Sequence, residues 1–174
     1  AGLSPDVASV ASLFVSRWDV AVAGKVPANL VNRLGIAIGH DCLRAYYDHV
    51  ASAGVRRAMN AGARPQRLLF ASTGTKDPKA SDTLYVEALA APLTVNTIPE
   101  ATLLAVADHG RVTAAAPADG GDCAAVLGEF SRAGIDLDAL AARLQGEGAA
   151  SFGQAGNVLM AVRATRCAAG AGGG

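Results

Sequence analysis

Aromatic residues make up only 5% of this 174-residue chain, too few for a platform on which nucleic-acid bases would stack. The three cysteines, Cys42, Cys123 and Cys167, stand far apart with no Cys-x-x-Cys pair. That spacing argues against a disulfide framework or a zinc site, and the thiols are expected to be buried or inert in a reducing cytoplasm. Charged residues account for 17%, fifteen basic against fifteen acidic. With no net charge and no basic stripe, a nucleic-acid partner is not expected. No apolar run approaches the ~18 residues of a membrane span, so no membrane partner is expected either. The opening Ala1-Gly-Leu-Ser-Pro-Asp lacks the charged region and apolar stretch of a signal peptide. An initiating methionine is missing too, and the sequence is expected to be a piece of something longer.

What is present is a core. Apolar residues reach 51%, which suits a packed globular interior and argues against disorder.

Val7 to Ser16 is apolar on both faces and partly β-branched, the pattern of a strand covered on both sides. Arg17-Trp18-Asp19 closes it. Pro27 is read as the start of a long helix, with Leu30, Leu34, Ala37, Ile38, Cys42 and Ala45 forming its apolar stripe. A short helix is expected from Gly54 to Asn60, a strand from Leu68 to Ser72, a helix from Ser81 to Leu89 and a third strand from Leu93 to Thr97. Helix Ala101 to Ala107 ends before Gly110. Beyond the Arg111 to Gly121 loop, Asp122 is expected to cap a helix carrying Val126, Leu127 and Phe130. Gly134 reads as its left-handed terminus, and Asp136 as the cap of a helix with Leu137, Leu140 and Leu144 on one face. From Gly146 the pattern weakens. Residues 1–150 are read as the folded part and 151–174 as a divergent, disordered tail.

Strands separated by helices imply right-handed crossovers and a parallel sheet. Three strands are too few for a (β/α)8 barrel, which needs eight strands and about 250 residues. The expected fold is α/β, a partial barrel of about three βα units.

The polar residues gather after the middle strand, in Ser72-Thr73-Gly74-Thr75-Lys76. Hydroxyls, a glycine that lets backbone approach a ligand and one flexible cation suit a phosphate. An ordinary turn, with Ser and Thr capping the next helix, fits these residues equally well. Gly-Thr-Lys alone does not make a P-loop. Ser12 and Arg17, inside and just beyond the first strand, offer a hydroxyl and a planar guanidinium fork. Alternatively Arg17 is a surface residue paired with Asp19. Asn96 and Thr97 end the third strand and could reach the same rim or cap the next turn. His40, His49 and His109 are scattered and read as helix-surface groups. No spacing of acidic residues suggests a metal site.

The run Ala71-Ser-Thr-Gly-Thr-Lys-Asp-Pro78, followed by Asp82-Thr-Leu-Tyr-Val86 and Thr94-Val-Asn-Thr-Ile-Pro99, resembles transaldolase. The resemblance begins near Ser9, is clear to about His109 and remains recognisable to Gly148. It implies the C-terminal portion of a barrel enzyme, of a variety seen alone or fused to a phosphoglucose isomerase. Such an enzyme moves a dihydroxyacetone unit between sugar phosphates in the pentose phosphate pathway, with no metal or organic cofactor, in the cytoplasm. By the same resemblance Ser12, Arg17 and Ser72 contact the substrate phosphate. Many members carry an arginine where this chain has Gly74, so Lys76 is expected to supply that charge. The reacting amine must be neutral to form a Schiff base. Lys25, Lys76 and Lys79 are the chain's lysines, and none lies within an apolar strand. The Schiff-base lysine is therefore expected upstream of Ala1 and no catalytic residue is assigned. The alternatives are Lys76 as nucleophile, an inactive fragment that binds phosphate or associates through open barrel edges, or an aldolase-like phosphosugar barrel of different chemistry.

Overall fold

The computed structural model describes residues 4–171, in two compact units that divide between Ile135 and Asp136. In the first unit, β1 (Val10–Phe14) runs straight into α1 (Val15–Val22). A 3-10 turn at Ala28–Leu30 precedes α2 (Leu34–Ala51) and α3 (Ala53–Asn60). Then come β2 (Arg67–Ala71), α4 (Leu84–Ala88), β3 (Val95–Asn96), α5 (Glu100–His109) and α6 (Cys123–Arg132). The strands form a parallel sheet in the order β1-β2-β3, the arrangement expected from strands joined through helices. The described residues thus hold a parallel α/β sheet consistent with part of a barrel.

Register decides what each face does. Leu13 pairs with Phe70 and Ala11 with Leu68. Leu68 and Phe70 bury with Val15, Leu43, Tyr85, Leu89 and Ala116. Each fully buried side chain of this size contributes about 1.5–3 kcal/mol. Ser12, opposite Leu69, points to the other face because successive strand side chains alternate.

Several expected boundaries move. The first strand stops at Phe14 rather than Ser16, and a helix not anticipated from the sequence takes over. The chain turns helical at Val15 even though the Ser16 N–H still donates across to the Ser72 carbonyl at 3.1 Å beyond the β1–β2 ladder. The long helix does not begin at Pro27. After the 3-10 turn, Asn32 takes a left-handed φ of 61° and α2 starts at Leu34. The buried side of α2 is also turned from the expected stripe, to Leu34, Gly35, Ala37, Gly39 and Leu43, with Ala45 exposed. Close approach explains the turn. A Cβ on Gly39 would lie 2.6 Å from Leu89 Cδ2, and one on Gly35 only 2.7 Å from the Val15 carbonyl oxygen. The third strand shrinks to two residues because Leu93, with φ 61°, bends out of extended geometry. Asp122 precedes α6 but its side chain makes no cap bond; it meets Arg33 at 3.5 Å instead.

Other expectations hold. Gly134 adopts φ 86° after α6. Cys123 is buried and Cys42 half-buried, both as free thiols. His40, expected at a helix surface, is instead half-buried on α2, where its Nε2 donates to the Ala88 carbonyl of α4 at 3.0 Å.

The second unit is α7 (Leu137–Ala171). Asp136 caps it as expected, its Oδ1 accepting from the Ala139 N–H at 2.9 Å. Residues 151–171, expected to be disordered, continue this helix, in a stretch rich in alanine, the strongest helix former. Phe152, Val158, Leu159 and Met160 on it are exposed. The rest of that expected tail, residues 172–174, lies outside the described residues. No helix among the described residues is long and apolar enough to cross a membrane.

Candidate functional site

In parallel strands all carboxyl ends lie at one edge, so the segments leaving β1 and β2 share that edge. Arg17, in the first turn of α1, Ser72, one residue past β2, and Lys76, four further on, all sit there. Ser12 is exposed within β1, on the face turned away from the buried helices. The four residues singled out from the sequence thus divide. Three lie beyond the strand ends and one lies on the sheet face leading to them.

Arg17 is not paired with Asp19. Its guanidinium carbon rests 4.4 Å from the centroid of the Phe14 ring, a cation–π contact worth about 0.5–1 kcal/mol at a partly exposed site.

Asp19 is 7% exposed and does something else. Its Oδ1 accepts from the Leu34 N–H at 2.9 Å and its Oδ2 from the Gly35 N–H at 3.0 Å. Oδ2 also accepts from the Tyr85 hydroxyl at 2.8 Å. The carboxylate therefore supplies the N-terminal bonds of α2 from fifteen residues away and ties α1 to α4 through Tyr85. Burial raises the Asp19 pKa, and the Tyr85, Gly35 and Leu34 donors oppose that rise. The Tyr85 hydroxyl is raised in turn, first by its own burial and then by the Asp19 charge.

Ser72 has φ 55°. A left-handed conformation costs a residue with a side chain about 1 kcal/mol, and such strain concentrates at functional sites. Its hydroxyl lies 2.8 Å from the hydroxyl of Ser16, which is 1% exposed. Next to it, buried Thr73 donates its hydroxyl to Asn96 Oδ1 at 2.8 Å, joining the ends of β2 and β3. The Thr97 N–H donates to the Phe70 carbonyl at 3.0 Å, so both Asn96 and Thr97 close the sheet edge.

Lys76 is exposed and lines a cavity of about 320 Å³ together with Asp19, Asn32, Asp77 and Tyr85. Beside it, Asp77 accepts from the Lys79 N–H at 2.9 Å and from Asn32 Nδ2 at 2.8 Å. Those donors, the Lys79 N–H first, lower the Asp77 pKa. Lys25 and Lys79 are exposed as well, and Lys25 Nζ donates to the Ala21 carbonyl at 2.9 Å. None of the lysines has the desolvated setting that an imine-forming amine needs. No group of three or more His, Cys, Asp or Glu among the described residues could hold a metal.

Ser16 and Tyr85 were not singled out from the sequence, Thr73 was noted only as a hydroxyl of the loop, and Asp19 only as a partner for Arg17. One signal was available for Asp19. A lone carboxylate amid Val15, Trp18, Val20 and Val22 has to be exposed or fully partnered, and the partners lay too far along the chain to be named.

Parallel strands, crossover helices and a polar cluster beyond the strands' carboxyl ends define an α/β protein whose sheet is consistent with part of a barrel. The profile of the transaldolase/fructose-6-phosphate aldolase family matches residues 1–162. The chain belongs to that family. It is 39% identical over 160 residues to a transaldolase of Thiobacillus denitrificans, covering 88% of this chain and 45% of that protein. To a transaldolase of a Parafrankia species it is 42% identical over 167 residues, 89% of this chain and 44% of the relative. With a Thermobifida fusca transaldolase the identity is 45% over 139 residues, 76% of this chain and 35% of the relative. The chain spans less than half the length of the curated relatives it matches.

Proposed function

We propose that these residues are the phosphate-gripping part of a transaldolase, about the last three βα units of its barrel. The complete enzyme transfers a dihydroxyacetone unit between sugar phosphates such as fructose 6-phosphate and sedoheptulose 7-phosphate. It does so through a lysine Schiff base in the pentose phosphate pathway of the cytoplasm, without a cofactor. The reacting lysine lies outside these 174 residues, because Lys25, Lys76 and Lys79 are all exposed. Arg17 and Lys76 supply charge to the phosphate, and Ser12 and Ser72 supply hydroxyl donors. The observation that carries this reading is the strained Ser72, which opens the segment bearing Lys76 and is bonded through Ser16 to the segment bearing Arg17.

Two experiments test it. In the complete enzyme, Arg17→Ala raises KM for fructose 6-phosphate by about 10–100-fold, the loss of one to two charge-assisted bonds. It leaves unphosphorylated ketoses nearly unaffected. Equal loss on both would contradict the assignment. Borohydride trapping with a ketose phosphate labels the complete enzyme but not the isolated chain. A covalent adduct on the isolated chain would point to Lys76 instead.

A further inference from the structure

Ser16 and Ser72 form a pair in which only one member can meet a ligand. Ser16 is 1% exposed, whereas Ser72 is half-buried at the strand end. They are bonded twice, through the Ser16 N–H to the Ser72 carbonyl at 3.1 Å and through their hydroxyls at 2.8 Å. A hydroxyl carries one proton and two lone pairs. Ser72 is the hydrogen-bond partner of the Ser16 hydroxyl, which is enclosed. At this distance either hydroxyl can donate; with Ser16 enclosed and Ser72 at the rim, the arrangement that serves a ligand is the one in which Ser16 donates and the Ser72 proton points outward. An anion at the rim has no use for a lone pair and needs that proton.

The rest of the neighbourhood keeps Ser16 in place. Asp19, one helical turn further along α1, bonds the N-terminus of α2 and Tyr85. Gly35 leaves no room for a Cβ between Asp19 Oδ2 and the Val15 carbonyl, each 2.7 Å from where it would stand. The turn carrying Ser16 is thus fixed from the side away from Ser72.

We infer that Ser16 is a positioning residue for phosphate recognition: it spends its proton on Ser72, and so turns the Ser72 hydroxyl into an obligate donor toward the sugar-phosphate anion. This rests on the function proposed above. Ser16 touches no ligand itself and acts through Ser72.

A double-mutant cycle in the complete enzyme tests it. Ser72→Ala raises KM for fructose 6-phosphate about tenfold, and Ser16→Ala raises it about fivefold, the range of one hydrogen bond to a charged group. In both, kcat stays within about twofold and KM for unphosphorylated fructose is unchanged. Adding Ser16→Ala to Ser72→Ala changes nothing further. A merely structural Ser16 would lower the melting temperature and the yield of active enzyme without separating the two sugars. Ser16→Cys, with a weak donor of nearly the same shape, falls between, and decides the matter alone should Ser16→Ala fail to fold. An unchanged KM in Ser16→Ala or Ser16→Cys, or effects that multiply in the double variant, would overturn the inference. If the unmodified enzyme does not prefer the phosphorylated sugar, the proposed function falls and this inference falls with it. If it does prefer that sugar and Ser16→Ala leaves the preference intact, this inference alone fails.

Discussion

The segments leaving β1 and β2 occupy the same edge of the sheet, yet they are held in opposite ways. Ser16 and Asp19 are buried, each bonded to residues at least fifteen positions away. The Thr75 to Ser81 loop is mostly exposed and held chiefly by near neighbours. Thr75 donates its hydroxyl to the Ser81 carbonyl at 2.7 Å, and Asp77 accepts from the Lys79 N–H. Only the Asn32–Asp77 bond reaches further. One wall of the candidate site is preorganised and the other can adjust. A binding site gains affinity from groups that need no ordering, while an adjustable lysine can follow ligands of different length. Under the function proposed above, Arg17 on the first wall, with Ser72 tied to that wall through Ser16, orients the phosphate, and Lys76 on the second attracts it.

That contrast can be broken most directly at Asp19. Asp19→Ala leaves the Leu34 and Gly35 N–H groups and the Tyr85 hydroxyl without their acceptor. We expect a loss of about 3 kcal/mol, the scale of a lost helix cap plus a buried bond to a charged group. Urea unfolding measures it, and a loss under about 1 kcal/mol would mean that buried bonds do not hold the first wall rigid. Lys76→Met should do the reverse. Stability changes by less than about 0.5 kcal/mol, as for surface substitutions generally. The salt dependence of sugar-phosphate KM becomes shallower, because an exposed charge is screened by ions. A destabilisation as large as that of Asp19→Ala would erase the distinction between the walls. The smallest effect is expected at His109, whose Nε2 lies 2.9 Å from Asp82 Oδ1 at the far end of the second loop. Asp82 first, and Asp108 after it, raise the His109 pKa above 6.5. A group raised on folding adds stability that is complete below its unfolded pKa and is lost as pH climbs through the folded one. Melting curves of the unmodified protein and of His109→Gln should therefore differ most near about pH 5.5 and converge by about pH 8.5. A gap that widens with pH would reverse the sign and discard the pairing.

Much of the first unit was readable from local pattern. The apolar run Leu68 to Ala71, Gly134 after α6 and, in the second unit, Asp136 before α7 each act over a few residues. What escaped acts at a distance. Val15 to Val22 carries the valines of a strand, and its helix is fixed by Asp19 reaching Leu34, Gly35 and Tyr85. The start of α2 was misplaced for the same reason, since its N-terminal acceptor sits on another helix. On α2 the expected stripe held at Leu34 and Ala37 but overlooked Gly35 and Gly39, where neighbours come nearest. Arg17, Ser72 and Lys76 stood out as polar groups at the strand ends, and the resemblance gave them a phosphate to hold. Ser16 lay between Ser12 and Arg17, but its hydroxyl acquires meaning only from a partner 56 positions on.

Phe14 limits how Arg17 can be approached. A guanidinium whose central carbon sits over a ring has one approach already covered, so the N–H edges left uncovered are what remain for an incoming oxyanion. A ligand that offers two oxygens side by side can lie against such an edge, and a bulky spherical ion cannot do so as well. Under the function proposed above, the ring of Phe14 makes a last strand residue, itself without charge, a silent participant in choosing the shape of the anion.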